Sequence, residues 1–507
     1  MKMKNAFLLA VLALLTAWIP CHADNGKYVV AYVASWTTGR LPDPTLMTHI
    51  NYAFGHVTKT FDGVEVQNPS FLKEVVALKE QNPKLKVVLS VGGWGSGNFS
   101  EMAASDQYRK SFAKDCRRIV DQYGLDGIDI DWEYPTSHAA GISSSPDDTR
   151  NFTLLMRDLR KALGKKKLLT AATVASAKYI DFSSCLRYMD FVNIMAYDVA
   201  NPPKHHTTLY RSNFSGRLTV EEAVEAHVKA GVPVEKLTLG MALYGRGDHN
   251  NKVLDKYVKT RDTKGQYTEQ WDSVGCVPYL TDRSGNLVWG FDNANSLAAK
   301  CQFILDKGLL GGMYWECTED NAQLDGMTTI WLSLMQNGKG TPAPRRMLVM
   351  TDGTDSSNTR MGVKWLEDIG RQLNFEVTEM PADETYEKGC LDHYHLIYML
   401  NANPYNWGEE VKADFERYID EGHGSYYCMP HERKQGWAWY DNFTDQATIN
   451  PVAGSVFYVE GEHIPQYWSN TSKTARNIFY QGNEKLYSLP MAPFLKMEQE
   501  ALQWLLH

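Results

Sequence analysis

The sequence predicts a (β/α)8 barrel followed by a smaller, doubly wound α/β domain, and three observations lead to it. Eight short apolar, β-branched runs alternate with amphipathic helical stretches between Lys27 and about Gly338. NGKGTPAP, from Asn337 to Pro344, is rich in Gly and Pro and breaks that pattern as a linker would. From Arg345 the alternation resumes with a new set of runs.

The eight runs are YVVAYVA from Tyr28, HINYAF from His49, KVVLSV from Lys86, GIDID from Gly127, LLTAATV from Leu168, FVNIMAY from Phe191, LTLGMAL from Leu237 and GGMYW from Gly311. Helical patterns fill the intervals, among them DQYRKSFAKDCRRIVDQYG from Asp106, TRNFTLLMRDLRKALG from Thr149 and TVEEAVEAHVKAG from Thr219. Thr219 and Glu222 have the spacing of a capping box. Eight repeats over about 310 residues suit a parallel barrel, for which roughly 250 residues is typical and insertions add the rest. An open doubly wound sheet would share the alternation; a barrel differs in gathering its chemistry at the C-terminal ends of several strands. The longest interval without helical periodicity, about 245–295, reads as an insertion walling the cleft.

Composition places the chain among soluble globular proteins: 507 residues, 43% hydrophobic and 22% charged, long enough for two domains. A net charge of -8, spread along the chain, leaves no basic footprint, so nucleic acid is not an expected partner. Lys2 and Lys4, an apolar run from Ala6 to Ile19 and small residues near Ala23 read as a signal peptide over 1–23. That run is shorter than the roughly 20 residues needed to span a bilayer, so a secreted or periplasmic protein without a membrane span is expected. The remaining organisation is a barrel over 24–338, a linker over 339–345 and an accessory domain over 346–507. The eight cysteines, Cys21, Cys116, Cys185, Cys276, Cys301, Cys317, Cys390 and Cys428, lack metal-ligand spacing. Neither a metal nor another cofactor is expected. Most of the cysteines read as buried small hydrophobes, while Cys276, Cys301 or Cys317 could pair in an exported protein.

The fourth run lies within DGIDIDWEYP, Asp126 to Pro135. On a strand, Asp129, Asp131 and Glu133 would share one face and Ile128, Ile130 and Trp132 the other. Carboxylates at i and i+2 have Cα atoms about 6.5 Å apart; at an effective dielectric near 20 they repel by roughly 2–3 kcal/mol. That splits their titrations by about two pKa units, so one group holds a proton near neutral pH. An acid and a stabilising anion can then coexist in one site. A hard cation is an alternative, although no DxDxDG loop follows, and a solvated strand face is another, although the opposite face is apolar. On spacing alone all three stay open. Asp126, out of phase with the rest, is expected to serve the strand's entry.

These residues resemble a family. DGIDIDWEYP is similar to the DxxDxDxE signature of family 18 glycoside hydrolases, the chitinases and related endo-N-acetylglucosaminidases. VVLSVGGW from Val87 resembles the SxGG motif of the third strand and IMAYD from Ile194 the MxYD motif of the sixth. LYGRG around Tyr244 and GGMYW ending at Trp315 resemble the last two barrel strands, so the likeness covers roughly residues 27 to 336.

The resemblance implies retaining hydrolysis next to N-acetylglucosamine, with the sugar's own acetamido oxygen as nucleophile, an exception to the usual two-carboxylate scheme. It assigns Glu133 as acid and base, Asp131 as the group that orients and stabilises the oxazolinium ion, and Asp129 behind it, sharing a proton with Asp131. Tyr32 and Ser90 match positions that hydrogen-bond the inner aspartate. Tyr197 and Asp198 would grip the acetamido group, and Trp315 would floor the subsite of the reacting sugar, since an aromatic face packs on pyranose C–H groups. Trp94 and Tyr244 are candidates for neighbouring contacts; Trp36, Trp271 and Trp289 receive no role. The implied partner is a polysaccharide or oligosaccharide containing N-acetylglucosamine. Chitin and glycoprotein glycans both qualify, and a chitin-binding lectin would be the non-enzymatic alternative, though Glu133 is present.

Beyond the linker, RRMLVMTDGTDS, FEVTEM, HLIYMLN and SYYCM read as strands, with MGVKWLEDIGRQL and EEVKADFERYIDEG as helices. Their order weakly resembles the trehalose-utilisation-like domains of the glutamine-amidotransferase superfamily. Cys428 and His431 follow the strand where that superfamily often places a nucleophile, but no G-x-C-x-G elbow is present. GWAWYDNF, Gly436 to Phe443, brings four aromatics together on an expected loop, for sugar or for packing on the barrel.

Overall fold

The computed structural model describes residues 26–37, 41–247 and 267–351 apart from 322, 337, 341 and 342, with most of 357–429 and the strands between 450 and 481. The signal-peptide segment, His431 and the GWAWYDNF stretch lie outside the described residues, as does the side chain of Cys428.

Eight parallel strands form the barrel: Tyr28–Ala34, His49–Val57, Lys86–Gly92, Gly127–Asp131, Leu168–Val174, Phe191–Met195, Leu237–Ala242 and Gly311–Trp315. They pair in chain order, and the eighth returns to the first with Gly311 opposite Tyr28, which closes the ring. The expected fold class and its eight strands are therefore borne out. Each strand is covered on both faces, which is why the runs read as continuously apolar. Alternation within YVVAYVA decides the faces. Val30 and Tyr32 point into the barrel with Ala53, Phe54, Phe191 and Met313, whereas Val29, Ala31 and Val33 meet the helical layer.

Capping fixes where the helices begin and end. Helix Asp106–Tyr123 starts at Ser105, whose hydroxyl accepts from the Tyr108 N–H, and stops at Gly124 in the left-handed region. The capping box expected from Thr219 and Glu222 forms at the start of helix Val220–Lys229. Between the seventh and eighth strands, Arg246–Gly247, Thr268–Asp272, Val277–Thr281 and Leu287–Gly290 make a four-stranded antiparallel sheet.

The expected cysteine pairing does not form, because Cys276, Cys301 and Cys317 are free thiols. Cys301 and Cys317 pack into the main apolar core, where a thiol behaves as a small hydrophobe.

In the C-terminal sheet, Arg345–Thr351 lies between Phe375–Pro381 and Leu396–Leu400, followed by Gly424–Met429 and Ala475–Gln481, all parallel. The order reverses direction at its first strand, as a doubly wound sheet does. Among the described residues, side-chain hydrogen bonds tie this unit to the barrel. Gln323 Nε2 donates to the Asp392 carbonyl at 2.8 Å. His395 Nδ1 accepts from the Arg346 N–H at 2.9 Å, so Nε2 bears the proton and donates to the Asp325 carboxylate at 2.8 Å.

Candidate active site

The acidic strand ends at Asp131, so Asp129 and Asp131 belong to the fourth strand and Glu133 follows just beyond it. Trp132, on the opposite side, is buried and stacks on Phe99 with ring centroids 5.3 Å apart. The Asp131 carbonyl accepts from the Gly93 N–H at 2.9 Å. It passes so close to Gly92, at φ +133°, that a Cβ there would sit 2.0 Å from the carbonyl oxygen. The paired glycines of SVGGW thus let the third strand's end close against the acids.

Asp129 is fully buried and accepts four hydrogen bonds, two on each oxygen. Tyr32 OH and Ser90 Oγ donate to Oδ2, each at 2.8 Å; Thr170 Oγ1 donates to Oδ1 at 2.6 Å and Asn193 Nδ2 at 3.2 Å. Thr238 Oγ1 donates to Asn193 Oδ1 at 2.6 Å, which turns the amide nitrogen toward the carboxylate. Burial raises the Asp129 pKa, and the four hydrogen bonds pull against that rise. Asp131 is also buried, and its Oδ1 has no hydrogen-bond partner. Burial first, then the charges of Glu133 and Asp129, hold Asp131 well above the usual carboxylate range. Glu133 is raised to about 7, chiefly by burial and further by the Asp198 charge, while a hydrogen bond with Tyr134 opposes the rise. The cluster can therefore hold a donatable proton at neutral pH beside a fixed negative charge.

Beyond the sixth strand stand Tyr197 and Asp198. The Tyr197 hydroxyl lies 3.9 Å from Met313 Sδ. Burial, then the charges of Asp131, Asp198 and Glu133, push its pKa far up, so it remains a phenol and a donor. Asp198 sits at φ +57°. Arg246 Nε donates to its Oδ1 at 2.7 Å and Arg246 Nη2 closes the pair on Oδ2. His206 Nδ1 is 3.6 Å from the same Oδ1. Burial would raise Asp198, but His206 and Arg246 together hold it below the usual carboxylate range. Both of its oxygens are thus engaged within the protein.

Trp315, ending the eighth strand, stacks on Phe54 at 5.6 Å and lies beside Tyr32 at 5.6 Å and Trp36 at 6.2 Å. Trp36, to which the sequence gives no role, is 59% exposed and extends this aromatic surface. Trp94 is 65% exposed and lines a shallow depression of about 290 Å³ with His56, Ser96 and Asn98. Its ring is 6.4 Å from Tyr134, which stacks on Tyr179 at 5.5 Å. Tyr244, expected as a sugar contact, is 4% exposed and sits edge-on to Tyr197 at 6.1 Å, so it acts on that ring from behind. Asp126 accepts from the Val87 N–H at 2.8 Å and pairs with Lys79 at 2.5 Å, at the strand's entry as expected. Among the described residues no cluster of His, Cys, Asp and Glu suits a metal ion.

Known proteins resemble this chain in sequence and fold. Residues 28–320 match the glycosyl hydrolases family 18. The chain belongs to this family. Chitinase A1 of Niallia circulans is 29% identical over 63% of the chain and 61% of its own length; Chitotriosidase-1 of Mus musculus is 31% identical over 57% and 72%. The chain thus spans less than two thirds of Chitinase A1. A solved family 18 N-acetylglucosaminidase from Paenibacillus barengoltzii is 34% identical with a TM-score of 0.55, covering 60% of this chain and 99% of that one. The family 18 barrel is accordingly a chitinase-like glycoside hydrolase unit.

Residues that spacing and resemblance did not reach are Thr170, Asn193, Thr238, Tyr134, Arg246 and His206. Thr170 and Asn193 leave a trace in the sequence, as polar positions within the otherwise apolar runs LLTAATV and FVNIMAY. Arg246 falls inside the quoted LYGRG segment.

Proposed function

We propose that the barrel hydrolyses β-1,4 links next to N-acetylglucosamine in chitin or its oligosaccharides, with retention and with the substrate's acetamido oxygen as nucleophile. The observation that carries this reading is the Asp129–Asp131–Glu133 series, two buried aspartates followed by a half-buried glutamate raised to about 7. Both curated relatives named above are a chitinase and a chitotriosidase, which favours chitin over glycoprotein glycans.

The sequence expectation has Asp129 and Asp131 share a proton; we prefer to place it one carboxyl further out. Four donors to Asp129 favour its charged form against the rise that burial gives it, so in this reading the mobile proton passes between Asp131 and Glu133. With the proton on Glu133, Asp131 is the anion. Glu133 then protonates the glycosidic oxygen as its bond to C1 breaks, while the acetamido oxygen bonds to C1 from the opposite side. Asp131 accepts from the acetamido N–H and stabilises the oxazolinium cation; Tyr197 OH donates to the acetamido oxygen and holds it in line. Glu133, now a carboxylate, takes a proton from water as the water oxygen attacks C1. The acetamide is restored, and two displacements leave the anomeric configuration unchanged. Trp315 floors the reacting sugar, Asp198 steadies Tyr197's side of the site, and Trp94 faces a neighbouring sugar.

The sequence of residues 1–23 supports an export leader and that of 346–507 an accessory domain, so the proposal includes action outside the cytoplasm, where insoluble chitin is met. A product time course with N-acetylglucosamine oligomers, read by NMR for the anomer first formed, tests the proposal. Retained β product is expected, and neither cellulose nor fully deacetylated oligomer should be cut. Inverted product or rapid cellulose cleavage overturns it.

A further inference from the structure

The backbone after the sixth strand is irregular. The Ala196 N–H turns back to the Ile194 carbonyl at 2.9 Å, and Asp198 lies at φ +57°. Tyr197, between them, is packed on one side against the seventh strand, where a Cβ on Gly240 would come within 3.0 Å of its ring. The Ala196 carbonyl, past the strand's end, accepts from Thr207 Oγ1 at 3.0 Å.

That hydroxyl is itself held by a buried charge. Lys300, on helix Ala294–Lys307, is fully buried and donates to Thr207 Oγ1 at 2.9 Å. Its other two hydrogens go to Asp292, at 2.7 Å and 2.6 Å, and Asp292 is fully buried too. Ser296 Oγ adds a donor to Asp292 at 2.7 Å. With the ammonium on the hydroxyl's lone pair, the Thr207 proton is directed to Ala196, and the adjacent positive charge strengthens that bond. A second tie fixes the Thr207 backbone. Its N–H donates to His205 Nδ1 at 3.1 Å, and His205 Nε2 donates to the carbonyls of Pro278 at 2.9 Å and Phe291 at 3.2 Å, on the insertion sheet and just past it.

A buried ion pair is weak evidence for stability, because well-packed apolar residues of the same volume often serve as well. What such residues could not supply is the bond from Lys300 to Thr207. We propose that the Lys300–Asp292 pair, acting through the Thr207 hydroxyl on the Ala196 carbonyl, positions the Tyr197 hydroxyl for the acetamido group. Lys300, Asp292 and Thr207 are positioning residues, and their role rests on the reading of Tyr197 given above.

Thr207→Val keeps the side-chain volume and removes the hydroxyl; Thr207→Ser keeps the hydroxyl. With a chromogenic N-acetylchitooligosaccharide glycoside, the valine variant should lose about ten-fold in kcat with KM little changed, and the serine variant should recover it. Tyr197→Phe should cost much less in the valine background than in the wild type, since both changes act on one hydroxyl. If Thr207→Val does not fold, Thr207→Ala is read the same way. A folded valine or alanine variant at the wild-type rate, a loss that serine does not restore, or full additivity with Tyr197→Phe overturns the positioning role. Tyr197→Phe alone at the wild-type rate instead overturns the role given to Tyr197, which separates the two failures.

Discussion

Asn193 presents its amide nitrogen to Asp129 at 3.2 Å because Thr238 occupies the amide oxygen at 2.6 Å. A residue of the seventh strand thereby helps set the charge state of one on the fourth. Replacing Asn193 by Leu should cost about 1–3 kcal/mol of stability, the penalty of leaving a buried acceptor short of a donor. Thermal unfolding of the variant checks this. The pH profile of kcat/KM should also change shape, because the vacated position on Asp129 can accept the proton of Asp131.

Glu133→Gln removes the proposed acid and base while keeping the side chain's shape. Turnover should fall by at least about 100-fold, within the range general acid–base catalysis contributes. Oligosaccharide affinity, measured by calorimetry, should stay near the wild-type value.

The Glu133 carboxyl, raised to about 7, should set the alkaline limb of kcat/KM. Asp198 lifts it by charge repulsion, so Asp198→Asn should move that limb to lower pH. A limb that moves up, or does not move, contradicts the electrostatic link.

Stability carries the same sign information. The folded-state pKa of Glu133 lies above its ordinary 4.5, so the folded state binds the proton more tightly than the unfolded chain does. The resulting contribution is fully present below about pH 4.5 and is lost as pH rises through about 7. Glu133→Gln should therefore gain stability over the wild type at pH 8 relative to pH 4, by up to about 3 kcal/mol for an isolated shift of this size. Denaturant unfolding at the two pH values measures the difference.

Trp315→Ala removes a ring that stacks on Phe54 and borders Tyr32. A fall in kcat/KM of roughly ten-fold or more is expected from the lost aromatic face, with the unfolding temperature lowered as well. Competition binding with a short oligomer separates the two effects.

The eight strands were legible because a barrel strand is covered on both sides and so appears as an unbroken apolar run. Asp129, Asp131 and Glu133 were legible from their spacing, although Glu133 stands past the strand's end and shares the face by loop geometry instead of pleat. Thr170 and Asn193 could be noticed as polar interruptions, but what they serve depends on the pairing of three strands. Lys300 reads as an ordinary helix lysine. Its burial follows from a contact with Thr207 that crosses 93 positions of the chain, which no local pattern encodes. Tyr244, a candidate sugar contact from its motif, is buried edge-on to Tyr197, a packing detail that the motif does not encode.

Cys116, Cys185, Cys276, Cys301 and Cys317 all carry free thiols, and all but Cys276 are shielded from solvent. The barrel thus owes nothing of its architecture to an oxidising environment. Dithiothreitol should leave its unfolding curve unchanged, and alkylating reagents should modify little of it beyond the half-buried position 276. Protein made in a reducing cytosol ought to match protein made in an oxidising compartment turnover for turnover.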